Sequence, residues 1–144
     1  PDRPAFAATA GADLFVSIHM NFAGGNREAS GVETYVLPSP GYLSTSGEMR
    51  DTRARSGNRF DPQSMALAYA VHRSLMGMVK VTDRGVRRAR YEVLCSAPCP
   101  AILVECGFLS NPRELERLAD AQYRDRLAEG LARGIESYVR LTER

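Results

Sequence analysis

Lysine is almost missing from these 144 residues: Lys80 is the only one, and arginine supplies the rest of the 19 basic side chains. These nearly balance 17 acidic residues, leaving a net charge of +2. So small an excess gives no reason to expect nucleic acid or an anionic membrane as partner. The arginine preference reads as compositional bias. Cysteine is scarce too. Cys95, Cys99 and Cys106 are odd in number and too few for a disulfide framework. Free buried thiols are the plainer reading, although Cys95 and Cys99, flanking "SAP", are close enough in sequence to pair in an oxidising compartment. No apolar stretch approaches the roughly 20 residues of a membrane span. The first residues show no charged region followed by an apolar one, as a signal peptide would, and the chain starts at Pro1 without methionine.

What is present fits a folded domain. Hydrophobic residues make up 44% and charged residues 25%, values that exclude a disordered composition. The length suits one domain, residues 1–144. Pro4 to Ala10 is alanine-rich and ends at Gly11, as a helix would. "DLFVSIH" (13–19) and "GVETYVL" (31–37) have the β-branched and aromatic content of strands. From Pro38 to Asp61 the chain is rich in Gly, Ser, Pro and Arg and has no periodicity, so a long loop is expected. Asp61-Pro62 is the start of a helix, with Asp61 as N-cap. "YEVLC" (91–95) and "AILVE" (101–105) read as two further strands. Asn111-Pro112-Arg113-Glu114 is a capping pattern. A last helix carries Tyr123, Leu127, Leu131, Ile135 and Val139 along one face. Strands and helices in alternation predict an α/β domain, with a mainly parallel central sheet flanked by helices.

Two strands end in residues able to do chemistry. "LFVSIH" ends at His19, and "AILVE" ends at Glu105. In open α/β sheets sites gather at the carboxyl ends of strands, so the two can converge. His19 is a candidate metal ligand or a histidine bonded to a loop carbonyl. Glu105 is a candidate general base, or the partner of Arg87, Arg88 or Arg90. Strand alternation turns Cys106 to the other face. His72 is expected at a helix surface or core edge. Glu33, in an alternating strand, is expected to face solvent. The three cysteines match no strong zinc pattern.

"ADLFVSIHMN" (12–21) and "PAILVECGFLSN" (100–111), with "GVETYVL" and "DRGVRRARYEVL" (83–94) in order between them, resemble the zinc-dependent N-acetylmuramoyl-L-alanine amidases. The resemblance covers nearly the whole chain except the loop 38–61. It implies an amidase-like (phosphorylase/hydrolase-like) α/β fold and hydrolysis of bacterial peptidoglycan. The bond cut would be the amide between the lactyl group of N-acetylmuramic acid and L-alanine. His19 is implied as a Zn2+ ligand and Glu105 as the catalytic glutamate. Zinc polarises a carbonyl and acidifies bound water, and a nearby glutamate can move that water's proton to the leaving amine.

The family carries two more zinc ligands, a histidine in a "GHGG"-type motif and a glutamate on a long helix. Neither motif occurs here, so both ligands, with the family's N-terminal strands and helix, are expected upstream of Pro1. The isolated chain is then expected to be a C-terminal portion of a catalytic domain, inactive or poor in metal. Asn21, Arg50 and Arg53 are candidate substrate-binding residues, the arginines meeting muramyl or peptide carboxylates from the loop 38–61. That loop is otherwise a surface insertion. The implied partner is peptidoglycan, and the implied location is the cell envelope, periplasmic or exported. No motif names a regulatory activator. Two other functions fit the residues: a non-catalytic binder of cell-wall glycopeptide or of a partner protein, and an α/β hydrolase with Cys106 or Cys95 as nucleophile.

Overall fold

In the computed structural model, which describes residues 2–45, 47 and 50–143, four strands form one sheet in the order β1-β4-β2-β3. β1 (Phe15–Asn21) pairs in parallel with β4 (Ala101–Phe108), and β2 (Val32–Val36) pairs in parallel with β3 (Asp83–Arg88). The two halves meet in one antiparallel contact, β2 against β4. The sheet is thus mainly parallel, as expected, and the antiparallel seam is the addition. β4 is buried along its whole length, which explains why its sequence is an unbroken apolar run rather than an alternating one.

One face of the sheet packs on α2 (Asp61–Met78), α4 (Pro112–Ala119) and α5 (Ala121–Thr142). Val32, Val36, Ile102, Val104 and Cys106 meet Leu67, Val71, Leu75, Leu127 and Leu131 there. α2 and α5 lie unusually close. A Cβ on Gly134 would come within 2.5 Å of the Val71 Cα, so glycine is what lets the two backbones approach. The stripe expected on α5 is present, with Tyr123, Leu127 and Leu131 buried and Ile135 and Val139 packed at its margin.

The other face carries a smaller cluster, in which Tyr35, Leu37 and Leu103 pack under Leu94, Cys95 and Ala97. "YEVLC" is not a strand: Glu92–Cys95 forms the one-turn helix α3, with Tyr91 as its N-cap. Its four apolar and β-branched residues mimic a strand, but Ala97, Pro98 and Pro100 leave no room to extend one. One of the sheet's two edges is β3, whose charged "DRGVRR" does not look like a strand at all. Edge strands tolerate charge because only one side is paired.

α1 (Arg3–Thr9) is capped by the Asp2 carboxylate and followed by Gly11 at φ +62°. Asp61 is the first residue of α2 rather than its cap. Its carboxylate instead receives Ser39 Oγ at 2.6 Å and Asn58 Nδ2 at 3.1 Å, tying down the loop before it. That loop is not structureless throughout, since Ser56–Phe60 makes a 3-10 turn packed on α3, with Ser56 Oγ donating to Cys95 O. Ser46, Glu48 and Met49 of the loop lie outside the described residues.

Candidate active site

His19, Glu105 and Glu33 stand in one row across β1, β4 and β2. His19 is the register partner of Glu105, and Glu105 is the register partner of Glu33. Residues paired across neighbouring strands share a face and lie about 5 Å apart. The strand ends that sequence singled out are therefore adjacent, on the face opposite the α2–α5 core. Cys106 lies in that opposite core, as alternation requires.

Glu105 is 7% exposed, and its Oε2 is buried with no hydrogen-bond partner. No arginine among the described residues bonds to it. Burial first, and the charge of Glu33 second, push its carboxyl up to about 7. An unpartnered carboxyl that titrates near neutrality is suited to accept and return a proton.

Glu33 is the opposite case, and here the expectation of a solvent-facing residue fails. It is 2% exposed. β2 lies inside the sheet with both faces covered, so alternation does not lead to water. Its Oε1 accepts from Asn21 Nδ2 and Tyr35 OH, each at 2.8 Å. Its Oε2 accepts from Arg84 Nε at 2.9 Å and Arg87 Nη1 at 3.0 Å. Burial alone would raise its carboxyl. The hydrogen bonds of Arg84 and Tyr35 and the two guanidinium charges outweigh that and hold it below the ordinary value. The same bond, with burial as the larger cause, pushes the Tyr35 phenol up.

Two irregularities aim these side chains. Between Val32↔Asp83 and Thr34↔Val86, β3 spends three residues where β2 spends two. The extra residue is accommodated at Gly85, φ +78°, and lets Arg84 and Arg87 both reach Glu33. Between His19↔Glu105 and Asn21↔Phe108, β4 does the same. Gly107, at φ +150°, is inside the strand here. Phe108 then lies under Arg84, 5.0 Å from guanidinium carbon to ring centre.

The strand ends are fixed by Glu114. Its Oε1 accepts from Gly31 N at 2.9 Å and its Oε2 from Phe108 N at 2.7 Å. Asn111 caps α4 as expected, accepting from Arg113 N at 3.0 Å. Glu114 does not close a capping box and braces β2 against β4 instead.

Of the other sequence candidates, Asn21 is in the site, with its Nδ2 donating to Glu33 and its Oδ1 accepting from Phe22 N at 2.8 Å. Arg50 and Arg53 are exposed, and Arg53 pairs with Asp51 at 3.0 Å. No described contact ties either arginine to His19 or Glu105. His72 is buried on the other face, between Thr34 Oγ1 at 3.0 Å and Asp83 Oδ1 at 2.8 Å. All three cysteines are buried free thiols. Burial, with Glu105 adding to it, pushes Cys106 up to about 12, far from a thiolate nucleophile. Sequence reasoning puts Glu33 in solvent, offers Arg87 to Glu105 and passes over Arg84, so it misses the pairing of both arginines with Glu33. Their one signal is the pair of arginines astride a glycine, which marks a bulge rather than a loop.

His19 is half-buried, and its Nε2 is 2.9 Å from Ser17 Oγ. Among the described residues no group of three His, Cys, Asp or Glu side chains is placed to hold a metal ion. One imidazole is too few for a catalytic zinc, which takes about three protein ligands. These residues alone do not make a zinc site.

The N-acetylmuramoyl-L-alanine amidase family matches residues 1–137 of the chain. The chain is 36% identical to an N-acetylmuramoyl-L-alanine amidase of Clostridium difficile 630 of known crystal structure, covering 96% of this chain and 63% of that one with a TM-score of 0.76. It is 33% identical over 134 residues to the amidase LytC of Bacillus subtilis, covering 93% of this chain and 23% of the relative. With AmiA of Escherichia coli it shares 30% over 162 aligned positions, covering 95% of this chain and 55% of the relative. The chain thus spans about half or less of the length of these two curated relatives. It belongs to the N-acetylmuramoyl-L-alanine amidase family.

Proposed function

Starting from that membership, we propose that the face bearing His19 and Glu105 hydrolyses the amide between the lactyl group of N-acetylmuramic acid and L-alanine in peptidoglycan. The observation that carries this reading is Glu105 itself, a buried carboxyl without a partner, opposite a half-buried imidazole in register. Glu105 takes a proton from the attacking water and returns it to the departing amine nitrogen. A carboxyl near 7 is populated in both its forms at neutral pH, so it can do both. Glu33 and the arginines hold the neighbouring strand without competing for Glu105. A pure glycopeptide binder would have no use for an uncompensated carboxyl costly to bury.

Zinc enters this proposal as an ion held by His19 together with ligands outside these 144 residues. Residues 1–144 would then be part of one catalytic domain. Asn21 lines the substrate side of β1, and Arg50 and Arg53 offer charge from the loop. A peptidoglycan substrate places the protein in the cell envelope, periplasmic or exported. No helix among the described residues is long and apolar enough to cross a membrane.

The test is digestion of purified peptidoglycan by the zinc-supplied protein that carries these residues, with products read by mass spectrometry. Expected products are a free lactyl carboxylate and a new L-alanine amino terminus. Glu105→Gln should lower kcat by about 10²–10⁴-fold with its circular dichroism unchanged. Cleavage at any other bond, or full activity in Glu105→Gln, would overturn the reading.

A further inference from the structure

The guanidinium groups of Arg84 and Arg87 are bound to Glu33 through one nitrogen each, Nε of Arg84 and Nη1 of Arg87. Each guanidinium has five N–H donors, so most of them are left over. Among the described residues neither guanidinium donates any other hydrogen bond. Both side chains remain about one-third exposed, 32% and 29%, so the unused donors reach solvent. Two positive charges against one carboxylate leave a net positive charge at this place.

Neither arginine is a loose surface cation. Arg84 is held by Glu33 on one side and by the Phe108 ring at 5.0 Å on the other. Arg87 is held by the same carboxylate. The Gly85 bulge is what brings two arginines three residues apart to one point. A fixed pair of guanidinium forks with free donors fits a carboxylate, and a fork already ordered loses less entropy on binding. If neutralising Glu33 were the only task, one arginine would suffice for its charge.

The geometry points to Arg84 and Arg87 as a carboxylate-binding subsite on the active face, taking an acidic group of the peptide part of the substrate. This deepens the amidase reading and rests on it. β3 lies two strands from β4, about 10 Å at the usual strand spacing. That is the span of roughly three extended residues. The carboxylate therefore belongs to one of the first three residues of the stem peptide, while the amide to be cut lies at Glu105.

The experiment is calorimetric binding of two muramyl tripeptides to the zinc-supplied protein in a Glu105→Gln background, which keeps the ligand intact. One tripeptide has its carboxylates free, and in the other they are amidated. The free acid should bind about tenfold tighter, the worth of one charge-assisted hydrogen bond. Arg87→Gln should bring the two affinities together, and Arg87→Lys should restore part of the preference. A residue that only supported the fold would weaken both ligands equally. Equal binding of both peptides, or an unchanged preference in Arg87→Gln, overturns the subsite and leaves the amidase reading standing. Binding of neither peptide also overturns the subsite, and the digestion assay then decides the function separately. If Arg87→Gln fails to fold by thermal melting, the wild-type preference and the Arg87→Lys variant still decide.

Discussion

Glu33 and Glu105 oppose each other across the antiparallel pair of β2 and β4, and the fold treats the two carboxylates in opposite ways. Glu33 receives four donors, whereas Glu105 has a buried oxygen with none. One is therefore locked as an anion while the other hovers between its two protonation states. The difference arises from position. β3 lies beside β2 and can supply Arg84 and Arg87, while β4 is flanked by β1 and β2, and among the described residues no arginine bonds to Glu105.

Glu105 should cost the protein stability above its own titration. Its carboxyl is raised from 4.5 to about 7 on folding, so the folded state holds a proton that the unfolded state releases. Stability then falls as pH rises from about 4.5 to 7, and stays reduced beyond. Glu105→Gln removes that penalty. Urea unfolding of the metal-free chain at pH 8 should show the variant more stable by roughly 1–3 kcal/mol. At pH 4 the two proteins should coincide. A variant no more stable at pH 8 than at pH 4, relative to wild type, would refute the assignment of a buried, uncompensated carboxyl.

Glu33 carries the opposite sign. Its folded value lies below 4.5 because the bonds and charges of Arg84 and Arg87, with Tyr35, exceed the cost of burial. Its contribution is complete above 4.5 and is lost as pH falls through the lower folded value. Glu33→Gln keeps the shape but removes the charge, leaving two guanidinium groups facing an amide. A loss of about 2–3 kcal/mol is expected at pH 7, below the cost of stripping a fully buried pair because both arginines are partly wet. The gap between wild type and variant should shrink on acidification, as chemical denaturation at pH 3 and pH 7 will show.

How far these roles could be read in the chain follows from the same geometry. The places of His19 and Glu105 side by side were readable because each ends an apolar run, and a strand-end polar residue is conspicuous. Glu33 was not, since alternation implies a wet face only when one side of the strand is open, and β2 is covered on both. Arg84 and Arg87 were hidden because β3 looks like a charged loop. Its partners are about fifty residues away in the chain, beyond the reach of any local pattern. α3 misled for the converse reason, being four residues of strand-like composition held in one helical turn by tertiary packing.

Glu114 shows the same limit within a motif that was recognised. The N-cap half of the pattern forms at Asn111, yet the glutamate side chain goes to Gly31 N and Phe108 N. Glu114→Ala should leave two buried backbone donors unpaired, at about 1–3 kcal/mol for each. Because these donors lie at the ends of β2 and β4, amide exchange at Gly31 and Phe108 should accelerate more than at the centre of α5. If the variant loses less than 1 kcal/mol and exchange is uniform, Glu114 is only a helix residue.

The α2–α5 contact offers a prediction that helix propensity alone would get backwards. Alanine is about 1 kcal/mol better than glycine inside a helix, so Gly134→Ala in α5 should stabilise if the helix were isolated. Here the new Cβ would lie 2.5 Å from Val71 Cα and 3.1 Å from Ala70 O, both backbone atoms that cannot swing aside. Forcing the helices apart should cost more than the propensity returns, for a net loss of about 2 kcal/mol and a Tm lower by roughly 5 °C. Gly77 in α2 is the control, with nothing within 4 Å of its Cβ position and no positive φ. Gly77→Ala should therefore raise stability by about 0.4–1 kcal/mol. Thermal melts of the two single variants decide between close helix packing and local propensity: opposite shifts support the packing account, and two upward shifts sink it.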